Sequence, residues 1–455
     1  MSTFSLIFIA VLGIALLLFL VIYIRLQAFI SLLIASLFVA VIGGIPPAEI
    51  AGVIQEGMGG TLGYIAIIIG LGAIFGEVLQ ASGGAEIISN TLLKKSGEKN
   101  APAALALTGL IVAIPVFFDV ALILFIPLVY NMARKTGRSL LYYGIPLTAG
   151  IAVAHSFIPP TPGPVAVAGL LGADLGWVIL FGLIAGIPAV LVGGIFFGRY
   201  IADRIYVEAP LEEDLTSSAP TSVTSDDREP KEPLTFSMVV GIIAVPLVLI
   251  LLNTVIGVLL PEGNLLRNWI TFVGHPFVAL ILASLLAFYF LGTRQGYSRR
   301  ELGQIASRSF EPVGLIILVT GAGGVFGRVL ITTGVGQALA DVMAASNLPI
   351  ILLAFLIATA VRVSQGSATV SMVTSAGLIA PAVQLADYSP PMVAAITIAI
   401  ACGATVLSHV NDSGFWLVGK YFGMSEQQTL KSWTVLETIL GVVGFVVVLI
   451  ISFFL

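Results

Sequence analysis

From Phe4 to Ile24 the chain runs without a charged side chain, and nine more apolar runs follow, near residues 26–44, 60–80, 139–157, 174–198, 237–260, 268–292, 310–331, 386–408 and 433–454. A helix crosses about 30 Å of hydrocarbon with about 20 such residues, so each run predicts a transmembrane helix. No aqueous fold could hide them. Of the 455 residues, 58% are hydrophobic and 10% charged, which makes lipid the solvent. The first run has no Lys or Arg before it and no small-residue cleavage site after it, so it reads as a retained helix rather than a signal peptide. Two further stretches, 101–133 and 348–381, are apolar but interrupted in the middle. Each is two crossings or one re-entrant hairpin, and sequence leaves that choice open.

The same composition excludes several functions. Net charge is −4 and the 20 Lys and Arg residues are scattered in short groups between apolar runs, which excludes a nucleic-acid partner. Cys402 is the sole cysteine, so neither an intrachain disulfide nor a thiolate metal cage can form. There is no His-Glu-x-x-His spacing, no nucleophile elbow and no Walker A sequence. No metal, no cofactor, no enzymatic nucleophile and no ATP-driven step is therefore expected.

Basic residues mark cytoplasmic loops. With Arg25 inside, Lys94, Lys95 and Lys99, then Arg134, Lys135 and Arg138, then Arg199 and Arg204, then Arg294, Arg299, Arg300 and Arg308, then Lys420 and Lys431 all fall inside. Arg267 falls outside, and Arg328 and Arg362 stand apart from the scheme. Both termini are then expected on the periplasmic side. Between Asp203 and Glu232 the chain becomes acidic and rich in Ser, Thr and Pro, holding 9 of its 24 carboxylates. This composition predicts a solvated cytoplasmic linker over 203–234, between a first transmembrane unit, 1–202, and a second, 235–455.

The two units resemble each other. At an offset of 251 residues, Gly63, Ile65, Gly70, Gly72, Phe75, Gly76, Val78, Leu79 and Gly83 recur as Gly314, Ile316, Gly321, Gly323, Phe326, Gly327, Val329, Leu330 and Gly334. Gly72 with Gly76, and Gly323 with Gly327, have the small-xxx-small spacing that admits close helix packing. An odd number of crossings in the first unit inverts the second. The expected fold is thus an all-α integral membrane protein of two inverted-topology repeats, each with a re-entrant hairpin and a broken helix.

Polar residues coincide with the predicted breaks, where freed backbone groups need partners that lipid cannot supply. Asp119 follows Pro115-Val-Phe-Phe in the first interrupted stretch. A carboxylate at a helix centre costs roughly 2.5 to 3.5 kcal/mol, and desolvation there would raise its pKa into a range useful for proton transfer. The second stretch carries Arg362, Ser364, Gln365, Gly366, Ser367 and Thr369, where hydroxyls and backbone N–H groups at a helix start suit an anion. His155 and Ser156 precede Pro159-Pro160-Thr161-Pro162-Gly163-Pro164, which cannot stay helical. The matching place in the second unit reads Ser408-His409-Val-Asn411-Asp412-Ser413-Gly414. Two of the chain's three histidines fall in these breaks, and the third, His275, precedes Pro276 and reads as structural.

Four segments together resemble the gluconate permease (GntP) family of the ion transporter superfamily over nearly the whole chain. They are Phe117-Phe118-Asp119-Val120 with Ile126-Pro127-Leu128, then His155 through Pro164, then Gly366-Ser367-Ala368-Thr369-Val370, and Ser408 through Trp416. Family members often carry His-Gly and Pro-Pro-His-Pro-Gly-Pro where this chain has Ser156 and Thr161. The resemblance implies uptake of gluconate or a related small organic acid with a proton across the bacterial cytoplasmic membrane. D-serine or another small polar acid as the cargo, or a passive anion channel, is the alternative. A homodimer is the oligomer the superfamily implies. On this reading the substrate carboxylate sits near Arg362, Ser367 and Thr369, its hydroxyls meet His409, Asn411 and Ser413, and Asp119, then Asp412, carries the proton.

Overall fold

The computed structural model describes residues 2–97, 100–209, 234–338 and 348–455. Lys99 and most of the expected linker, 210–233, lie outside the described residues. All regular structure among the described residues is helical, and nine segments are long and apolar enough to cross a membrane.

The first part begins with α1 (Thr3–Leu18), which continues through a π turn to Tyr23, and α2 (Ala28–Ile42). Next comes α3 (Pro47–Ala81), whose 35 residues span about 52 Å, well beyond the hydrocarbon thickness. It starts 13 residues before the apolar run at 60 because Pro47 suits a first helical turn and polar side chains such as Glu49 and Glu56 are tolerated outside lipid. The short α4 (Gly84–Ser96) is followed by α5 (Ala101–Val112) and α6 (Phe118–Thr136), separated by a non-helical turn at 113–117. At about 18 Å, α5 is too short to span the membrane, so the first interrupted stretch is not two full crossings. Then α7 (Leu141–Phe157) and α8 (Pro162–Leu171) flank the proline break, and α9 (Leu175–Ala189) runs on through a π segment to Ala202.

A second series of helices follows the linker. A long helix, α10 (Phe236–Leu259), precedes α11 (Leu265–Val273) and α12 (Pro276–Leu286), so the apolar run at 268–292 is two helices. The divide falls at Gly274-His275. His275 caps α12 by accepting the Phe277 N–H at Nδ1 and stacks edge-on against the Phe277 ring. After α13 (Arg299–Arg308) come α14 (Phe310–Thr332), α15 (Ile350–Gln365) and α16 (Ala368–Leu385), the last two broken apart at Gly366-Ser367. A second broken pair is α17 (Pro390–Gly403) and α18 (Ser413–Tyr421), and α19 (Val435–Ser452) closes the chain. The apolar run at 386–408 therefore ends as helix at Gly403, with an irregular passage to Asp412.

The glycine-bearing helices α3 and α14 pack on each other and run antiparallel. Gly57 faces Val325, Gly321 faces Met58 and Leu62, and Gly70 faces Phe310. Arg328, which fitted no loop, pairs with Glu56 at 2.6 Å across this interface. The recurring glycines also receive the breaks. A Cβ on Gly76 would overlap the Pro115 carbonyl, one on Gly72 would press on Pro160, and Gly323 lies against Val373. The small-residue spacing thus admits the irregular backbone as much as neighbouring helices.

Candidate functional site

Four helices begin at the breaks: α6 at Phe118, α8 at Pro162, α16 at Ala368 and α18 at Ser413. They pair across the two parts of the chain. Gly163 at the start of α8 lies against Met372 and near Thr369, and Gln384 near the end of α16 donates to the Leu170 carbonyl, so α8 and α16 are parallel. In the other pair, the Phe118 ring stands 5.3 Å from that of Trp433, which touches Gly414, and Tyr130 donates to the Tyr421 carbonyl. α6 and α18 are thus parallel as well. The pairs meet where Gly366 packs on Asn411 and where Pro115, Phe117, Pro160 and Pro162 line one small cavity, so the four helix starts converge, bringing N–H groups and the positive ends of their dipoles.

The caps differ. Ser367 accepts the Val370 N–H and Asp412 the Gly414 N–H, whereas neither Phe117 nor Thr161 caps its helix with a side chain. Pro162 and Pro164 remove two of the α8 donors, leaving the Gly163 N–H. The first turn of α6 keeps its donors free.

At the centre of the second part lies an ion pair. Arg362 Nη2 meets Asp412 Oδ2 at 2.6 Å, with the arginine 2% exposed. The same carboxylate accepts from Ser408 Oγ, which itself accepts from Trp433 Nε1 at 2.7 Å, and Thr434 donates to the Ser408 carbonyl. Arg362 Nε and Nη1 have no hydrogen-bond partner. Arg362 is therefore already matched by a carboxylate of the chain, where the sequence suggested that it faces a substrate carboxylate.

Other expected site residues are also engaged. His409 Nε2 contacts the Val363 carbonyl at 3.1 Å, and Asn411 Nδ2 donates to the same oxygen at 2.9 Å. Together they seal the C-terminal end of α15. Gly366 permits this contact, since its φ of +83° suits glycine and a Cβ would overlap Asn411. The Ser364 and Thr161 hydroxyls donate to carbonyls of their own turns, Ala360 at 2.8 Å and Ile158 at 2.6 Å. Ser156 is buried in the last turn of α7.

The remaining groups have capacity to spare. Gln365 has both amide atoms buried without a partner, as is His155 Nδ1. Thr369 faces Gly163, and Ser413 is exposed at the start of α18. The Asp119 side chain, in the first turn of α6, is not covered by other parts of the chain. His155 lies within electrostatic range of both Asp119 and Asp412 and links the two parts of the site.

Glu437 escaped the sequence reading. It is 4% exposed in the first turn of α19, within electrostatic range of Arg362 and Asp412. Its signal was a carboxylate inside the run 433–454, but only a few residues from an end where carboxylates commonly meet water.

Broken helices that aim their starts at one polar centre are a design that recurs in secondary transporters. The chain belongs to the GntP permease family, whose pattern matches residues 5–454. It is 42% identical over 447 residues to the low-affinity gluconate transporter of Escherichia coli, covering 98% of each chain. It is 38% identical over 448 residues to the gluconate permease of Bacillus subtilis, again covering 98% of each. Its fold is similar to that of the Alcanivorax borkumensis YdaH transporter, with a TM-score of 0.65, 16% identity and 90% of each chain covered.

Proposed function

We propose that this permease carries gluconate or a closely related sugar-acid anion into the cell together with a proton, across the bacterial cytoplasmic membrane. The observation that carries the reading is the convergence of four helix starts on a centre where Gln365, Thr369 and Ser413 remain available. Helix N-termini stabilise an anion without presenting a fixed full charge that would trap it. Gln365, Thr369 and Ser413 supply hydrogen bonds for substrate hydroxyls. His409, Asn411, Ser364, Ser367 and Gly366 shape the wall by fixing the α15 end and the α16 start. The names of the E. coli and B. subtilis relatives favour gluconate as cargo.

For the proton, Asp119 is the carboxylate left uncovered by the rest of the chain, and His155 is within electrostatic range of both it and Asp412. Units 1–202 and 235–455 act as inverted repeats, a reading supported by the antiparallel α3 and α14. Placing both termini outside and the linker inside is supported by contacts that join the basic segments. Lys95 lies over Phe236, Tyr297 donates to the Ala81 carbonyl and Ser139 donates to the Ile205 carbonyl.

Uptake into vesicles tests the proposal. Labelled gluconate should accumulate under an inward proton gradient, collapse with a protonophore and be competed by other aldonates. Flux without accumulation identifies a passive channel, and competition by D-serine alone overturns the substrate class.

A further inference from the structure

Glu437 is the one buried carboxylate near the centre that the reading above leaves without a task. Its turn of α19 is fastened to the break after α17 on both sides. Trp433 and Thr434 bond Ser408, and the Thr438 hydroxyl accepts the Leu407 N–H at 3.3 Å. Glu437 is thus held beside the Arg362–Asp412 pair, yet its Oε1 accepts no hydrogen bond. Charge counting decides what this means. One guanidinium and two carboxylates share a buried space, and Asp412 already matches the guanidinium at 2.6 Å. An ionised Glu437 would leave an unmatched negative charge where no donor meets Oε1, whereas its acid form is neutral.

We propose that Glu437 is the residue that stores the coupled proton, and this rests on the proton-symport reading. In the state described here Glu437 is the acid and Arg362 belongs to Asp412. On release the O–H bond breaks, the proton passes to water, and the bonding pair stays on the carboxylate. That carboxylate then takes Arg362 Nε or Nη1, both unpartnered here, as its counter-charge. The groups facing Glu437 are Arg362 on α15, which favours its ionised form, and Asp412, which opposes it. The elements packed on α19 bring His155 on α7 and the Cys402 thiol on α17, with exposed Lys431 and Tyr200 at its cytoplasmic-proposed end.

The test compares wild type with Glu437→Gln, which copies the acid form in shape. In vesicles, wild type should take up protons when gluconate is added, seen as alkalinisation outside. E437Q should keep gluconate counterflow but lose this alkalinisation, and under a one-unit pH gradient its accumulation should fall about tenfold for one symported proton. A carboxylic-acid stretch in the infrared spectrum of the wild type should vanish in E437Q. If E437Q is poorly folded, Glu437→Asp replaces it, and coupling should persist with a displaced pH profile. Coupling of normal size in E437Q, or an unchanged acid stretch, overturns the assignment to Glu437 alone. No proton uptake by the wild type overturns the symport reading and this inference with it.

Discussion

Asp412 holds two structures at once: one carboxylate oxygen meets Arg362 Nη2 at 2.6 Å, and the other accepts the Gly414 N–H that starts α18. The end of α15 and the start of α18 are thereby tied through a single side chain. Removing the carboxylate takes away the 2.6 Å partner of buried Arg362, which costs about 3 to 5 kcal/mol when no second carboxylate takes its place, and a smaller loss reports Glu437 ionising in its stead. Asp412→Ala should sharply lower the apparent melting temperature in detergent. The double variant Arg362→Met with Asp412→Leu should recover much of that loss while remaining inactive in uptake.

Asp119 is exposed and makes no hydrogen bond in the structure. Asp119→Asn should therefore alter stability by no more than about 0.5 kcal/mol, as expected of an exposed position. Proton-driven accumulation should nevertheless fall and its pH dependence flatten. Normal accumulation with normal pH dependence would remove Asp119 from the proton route.

Close approach at glycine gives a contrast within one helix. Gly76→Ala sets a methyl into the Pro115 carbonyl, and overpacking of this kind costs about 1 to 3 kcal/mol. Gly60→Ala meets open space, and helix propensity favours it by up to about 1 kcal/mol. Thermal unfolding of the two variants should move in opposite directions.

Ser367 caps α16 through the Val370 N–H, so Ser367→Ala should cost about 1 kcal/mol of stability. Because the start of α16 forms a wall of the proposed anion site, KM for gluconate should rise as well. A fall in melting temperature with KM unchanged would confine Ser367 to capping.

Glu86 on α4 lies outside the nine apolar spans; much of its side chain is exposed, but the protein packed around its carboxyl raises it above the ordinary value, with a backbone hydrogen bond opposing. The folded chain thus binds this proton more tightly than the unfolded chain. Its contribution is fully present below the unfolded value and is lost as pH rises through the folded one. Glu86→Gln should remove that decline, measured by thermal unfolding from acid to neutral pH.

The helix breaks were legible because their causes are local. Four prolines between Pro159 and Pro164 cannot be helical, and Gly366-Ser367 is both a left-handed turn and a cap. The antiparallel α3 and α14 were foreshadowed by their shared glycines. Pairings between distant segments were not legible. Arg362 and Asp412 are 50 residues apart, and their sequence positions suited two separate roles until the fold brought them together. Glu437 was hidden because hydropathy records that a carboxylate lies near a run's end but not which neighbour covers it. Asp119 shows a related limit: a mid-stretch position does not say whether neighbouring helices cover the side chain, and here they do not.

The parallel pairs α6 with α18 and α8 with α16 each draw one member from either side of the linker. Neither half of the molecule owns the centre, since each contributes two of its four walls. Displacing one half alone would carry two walls away while two stayed behind, so keeping the site whole requires elements from both halves to move together.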